Sequence, residues 1–109
     1  MDLDKRVRMC LLFDFYGSLL TDKQQIIMHR YYEEDISLVE IGEELNISRQ
    51  AVRDALTVSE NSLMQFEQKL GFADKHAVIK DMISDIIINV DNSSTNELIT
   101  KLKNLSDNL

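Results

Sequence analysis

Apolar residues recur every three to four positions along most of the chain, the spacing of one face of a helix. Val7, Leu11, Leu12, Phe15, Tyr16, Leu19 and Leu20 predict a first helix over about 4–20, in which Gly17 costs about 1 kcal/mol relative to Ala. Thr21-Asp22-Lys23-Gln24 then forms a capping box, in which side chains at both ends satisfy backbone donors that a helix start leaves open. It begins a second helix over about 22–34, presenting Ile26, Ile27, Arg30 and Tyr31 ahead of the acidic run Glu33-Glu34-Asp35. Ser37 and Glu40 make a second box, opening a short helix over about 38–45. Asn46 and Ile47 form a tight connection, and Ser48 caps a long helix that Gly71 is placed to end as a left-handed C-cap after about Leu70. A fifth helix over about 74–90 uses Val78, Ile79, Met82, Ile83, Ile86, Ile87 and Val90. After a polar break at Asp91-Asn92-Ser93, a third box from Ser94 to Glu97 starts a last helix with Leu98, Ile99, Leu102 and Leu105.

Composition agrees with an all-α reading. The 109 residues are 44% hydrophobic, contain no proline and three glycines, and leave little turn chemistry for a many-stranded sheet fold. The length suits one domain, with a helix-turn-helix core over about 20–71 and a helical extension over about 72–109. A single cysteine, Cys10, excludes an internal disulfide and a cysteine-based zinc cluster, and it sits in an apolar run as a small buried residue. His29 and His76 lack a second ligand at metal spacing, and Asp81 and Asp85 near His76 read as solvated charge. No glycine-rich phosphate loop occurs and nothing is arranged to activate Cys10, so neither cofactor nor metal nor catalysis is expected. No segment approaches ~18 uninterrupted apolar residues, which predicts a soluble, cytoplasmic protein.

Residues 37–57 carry most of the functional information. Ile41 and Leu45 lie four apart on one helix face, and Gly42 sits where a second helix crossing steeply needs a residue without bulk. Asn46 falls at the bend, since after Gly it best tolerates a left-handed backbone. Ile47 plugs the corner, and Val52, Ala55 and Leu56 turn the second helix's inner face back onto Ile41 and Leu45. At 100° per residue, Val52, Leu56, Ser59, Leu63, Phe66 and Leu70 share one direction of the long helix. Gln50, Arg53 and Thr57 fall on the outward face, with Arg49 at its near edge. The start of such a helix is the end that enters a major groove. Arg pairs in a fork with guanine O6 and N7, and Gln with adenine N6 and N7. Ser48 and the open N–H groups beside it suit a phosphate. Taken singly, each has a plainer reading, Ser48 as a cap and the others as an ordinary solvated face.

Leu20-Thr21-Asp22-Lys23-Gln24, Tyr31-Tyr32, Ser37-Leu38-x-Glu40-Ile41 and Ile47-Ser48-Arg49-Gln50-Ala51-Val52 resemble the YlxM-like family. Its members are small bacterial helix-turn-helix proteins associated by gene context with the signal recognition particle. The same stretch is similar to promoter-reading region 4 of sigma factors, and the likeness is specific over residues 11–71. The resemblance implies an all-α bundle with a region-4-like helix-turn-helix (winged-helix-like or homeodomain-like), a long recognition helix and two C-terminal helices. It also implies a regulator that binds double-stranded DNA and acts in the signal recognition particle pathway. The chain departs from the pattern at Gly42 and Asn46, where Ala and Gly are commoner, and at Arg53, where relatives often carry Tyr.

Charge qualifies this expectation. The net charge is −7, and residues 31–60 hold two cations against eight carboxylates. Residues 37–57 set Arg49 and Arg53 against Glu40, Glu43, Glu44 and Asp54. With help from Lys23, Arg30 or Lys5 the protein meets only ~2–4 phosphates, a salt slope of about −2 to −4. A single copy should therefore bind weakly, and affinity must come from a homodimer or a tether. The competing reading is an adaptor whose acidic surface over residues 31–44 meets a basic partner, such as a signal-recognition-particle component. The long helix extends roughly 30 Å, so Leu63, Phe66 and Leu70 should be covered by the first helix, the fifth helix or a second subunit.

Overall fold

A computed structural model describes residues 2–89 and 96–109 and is all-helical over them. In chain order α1 is Leu3–Tyr16, α2 Asp22–Met28, α3 Leu38–Leu45, α4 Arg49–Leu70, α5 Phe72–Asn89 and α6 Asn96–Asp107. Contacts divide the chain into two compact units, Met1–Gly71 and Phe72–Leu109.

In the first unit α4 is the spine, and α1, α2 and α3 all pack against it. The core gathers Met9, Leu12 and Tyr16 from α1, Ile27 and Met28 from α2, Ile41 from α3, and Val52, Leu56 and Leu63 from α4. The expected caps form. Thr21 Oγ1 accepts from the Gln24 amide at 3.2 Å while Gln24 Oε1 accepts from the Thr21 amide at 3.0 Å. Ser37 Oγ likewise accepts from the Glu40 amide, but the Glu40 carboxylate takes the Ser37 hydroxyl instead of closing the box on the backbone. The Ser94–Glu97 box and the Asp91–Ser93 break lie outside the described residues, as does the side chain of Leu98.

The first two helices depart from simple periodicity. α1 ends at Tyr16, and Gly17–Leu19 continue as a 3-10 turn. α2 passes into a π turn over His29–Glu33, closed by the Glu34 amide donating to the His29 carbonyl at 3.1 Å. Its carbonyls are met by Arg6, whose guanidinium donates to the Tyr31 and Tyr32 carbonyls at 3.0 and 2.8 Å and pairs with Asp35 at 3.2 Å. Cys10 is half-buried rather than buried; its Sγ approaches the Tyr32 carbonyl at 3.8 Å, and burial pushes the thiol pKa up.

The inner stripe of α4 also differs from the wheel. Leu70 is 39% exposed, and the buried residue near that end is Glu67, which accepts a 2.5 Å hydrogen bond from the Tyr16 hydroxyl. Phe66 is half-buried, its ring centroid 6.0 Å from that of Tyr16. An aromatic hydroxyl from α1 thus makes a carboxylate acceptable where an aliphatic side chain was expected. In the second unit α5 and α6 pack together, and Ala73, Ile83 and Ser106 are buried.

Candidate nucleic-acid interface

The site is built at the corner between α3 and α4. Asn46 adopts the left-handed conformation, φ 57° and ψ 45°, which turns the chain sharply without a glycine. The Ile47 amide then donates to the Gly42 carbonyl at 2.9 Å. A Cβ on Gly42 would stand 2.7 Å from the Ile47 carbonyl oxygen, so the close approach of the two helices requires its absence. Behind the corner Ile41, Val52 and Leu56 are buried, while Leu45, Ile47 and Ala55 are half-buried.

This frame fixes which side chains of α4 face outward. Ser48 Oγ accepts from the Ala51 amide at 3.0 Å, capping the helix. Ser48, Arg49, Gln50, Arg53 and Thr57 are all exposed. Among the described residues Arg49 and Arg53 have no ion-pair partner. Gln50 donates to Asp54 at 2.9 Å, and the Thr57 hydroxyl is turned back to the Arg53 carbonyl at 3.1 Å. Lys23, in the first turn of α2, is exposed and also without an ion-pair partner among the described residues.

Arg30 is placed differently. Its guanidinium forks onto Glu44 of α3, with Nε and Nη2 at 2.9–3.1 Å, and Nη1 reaches Glu34 at 2.8 Å. The hydrogen bond from Arg30 holds the Glu44 carboxyl below its ordinary value of 4.5, and Glu44 in turn raises Arg30. This guanidinium ties the π turn to α3. Lys5 is similarly engaged, 3.4 Å from Glu60. Glu60 also accepts from the Tyr32 hydroxyl at 2.8 Å; burial, and then this carboxylate, push the Tyr32 pKa up from 10.0.

A feature the linear pattern did not reveal adjoins the outward face of α4. Lys5, Tyr31, Arg53, Leu56, Thr57 and Glu60 line a hollow of about 340 Å³. It is assembled from α1, the π turn and α4, so no local spacing could signal it. Elsewhere His29 sits between Glu33 and Glu34, at 2.5 and 2.8 Å from its two ring nitrogens. Among the described residues no group of three or more His, Cys, Asp or Glu is arranged to hold a metal ion. Nor is any helix there long and apolar enough to cross a membrane.

Two helices joined at a left-handed residue, the second presenting a capped and cationic start, define a helix-turn-helix protein. The chain belongs to the UPF0122 family, described as "Putative helix-turn-helix protein, YlxM / p13 like", which it matches over residues 3–105. It is 45% identical over 102 residues to UPF0122 protein YlxM of Bacillus subtilis strain 168, covering 94% of this chain and 93% of that protein. UPF0122 protein YofM of Lactococcus lactis subsp. lactis strain IL1403 is 41% identical over 105 residues, covering 96% and 93%. UPF0122 protein TTE1463 of Caldanaerobacter subterraneus subsp. tengcongensis is 54% identical over 78 residues, covering 72% and 67%.

Proposed function

We propose that this protein is a cytoplasmic, non-catalytic regulator that contacts double-stranded DNA through the start of α4. Arg49, Gln50 and Arg53 touch bases or phosphates, Ser48 and its neighbouring amides hold a phosphate, Thr57 borders the contact, and Lys23 meets the backbone. One observation carries the reading: Arg49 and Arg53 stand exposed and unneutralised, one helical turn apart, in a protein of net charge −7. Arg30, assigned to the backbone from sequence, is left out because its guanidinium is spent on Glu44 and Glu34.

Three unpaired cations imply a salt slope of about −2 to −3 per copy. Useful occupancy at physiological salt then calls for a homodimer, which doubles the contacts, or for a tether. The test is a titration of the full chain with random duplex DNA at low and moderate salt. Arg49→Ala and Arg53→Ala should each weaken binding and reduce the slope by about 1. Absence of wild-type binding even at low salt would remove the DNA reading.

The second reading is an adaptor of the signal recognition particle machinery without specific DNA binding. It is favoured by the exposed carboxylates Glu33, Glu34, Asp35, Glu40 and Glu43, which present a face suited to a basic partner.

A further inference from the structure

The second unit is a pair of helices, and a pair cannot bury every apolar face of its members. On α5 Ala73 and Ile83 are buried. Val78, Ile79, Met82 and Ile86 lie on the neighbouring stripe, roughly 40–140° round the helix from Ile83 and 120–180° from Ala73 at 100° per residue. Their exposures are 57%, 46%, 59% and 47%. A hollow of about 290 Å³, lined by Asp74, Lys75, Val78 and Ile79, opens at the N-terminal end of this stripe. Asp74, Asp81 and Asp85 form a row along one flank, all exposed. Among the described residues Asp81 and Asp85 have no ion-pair partner.

We propose that this face of α5 docks a basic amphipathic helix of a partner protein. Val78, Met82 and Ile86 follow one another at four-residue steps with Ile79 three before Met82, the i+3/i+4 spacing by which an amphipathic helix is read across an apolar seam. An acidic flank selects an occupant whose apolar stripe is bordered by Lys or Arg. A second copy fits less well. Antiparallel pairing of two α5 helices sets the acidic flanks together, and like charges brought together are costly. The surface is built from other residues than the start of α4, so this proposal does not rest on DNA binding.

The probe is a fluorescein-labelled amphipathic peptide of Leu and Lys, about 18 residues long, with a Leu/Glu peptide of the same pattern as control. Fluorescence anisotropy with the full chain should show binding of the Leu/Lys peptide alone. Met82→Glu and the double variant Asp81→Lys/Asp85→Lys should each weaken it tenfold or more, with far-UV circular dichroism unchanged. Glu43→Lys on α3 should leave it within about twofold, and so should Arg49→Ala, which tests the DNA site separately. Equal binding to Met82→Glu, or equal weakening by Glu43→Lys, would overturn the proposal by reducing the effect to bulk charge. Sedimentation showing a dimer that Met82→Glu dissolves, without peptide binding, would overturn it in favour of a second copy.

Discussion

At Gly42 and Asn46 the chain's identity is decided by single atoms. A methyl group on Gly42 meets a backbone carbonyl, which cannot rotate aside as a side-chain tip could. Gly42→Ala should therefore cost about 1–3 kcal/mol, the range of overpacking in a tight contact, read as a lower urea midpoint at unchanged m-value. This small-residue requirement and the left-handed bend were both legible in the sequence, because they are properties of individual residue types at fixed spacing. The Arg30–Glu44 pair was not, since its members lie fourteen residues apart and only the fold brings them together. Glu44 has a folded-state pKa below its unfolded value of 4.5. Its contribution is therefore complete above that value and is lost as pH falls through the folded pKa. Glu44→Gln should flatten the stability profile on the acid side of pH 4.5 and leave its slope near neutrality unchanged, as measured by urea melts across pH.

Elements were more readable than their irregularities. The limits of α3 and α4 were evident because each begins with a serine cap and ends at a left-handed residue, Asn46 or Gly71. The caps also separate stability from binding. Ser48→Ala should cost about 0.5–2 kcal/mol, whereas exposed Arg49→Ala should stay within roughly ±0.5 kcal/mol. Thermal melts of the two variants beside their DNA titrations check this: a deficit confined to binding marks a contact residue. The exchange of Leu70 for Glu67 on the inner stripe was beyond any hydropathy wheel, which scores a carboxylate as polar whatever hydroxyl awaits it. The π turn escaped for a similar reason, as Tyr31 and Tyr32 satisfy the period of a regular helix about as well as that of a widened one.

For the molecule as a whole, more than four-fifths of the buried apolar side chains among the described residues belong to the first unit, and the two helices of the second bury little. A chain ending at Gly71 should consequently retain one cooperative thermal transition, whereas residues 72–109 alone should melt broadly, because two short helices rarely hold together without further burial. Circular dichroism melts of both pieces check the expectation. Within the first unit, the wide turn at His29–Glu33 accommodates one peptide more than an ordinary coil would use for the same rise. Adding or losing a residue in a regular helix swings everything downstream by about 100°. Here the surplus is confined to a single loop of the coil, so Ile27 before it and Tyr32 within it both keep their places in the core. A chain shortened by one at this slot would relax to an even winding, giving up Tyr32's hold on Glu60 and the strut that Arg30 extends to α3.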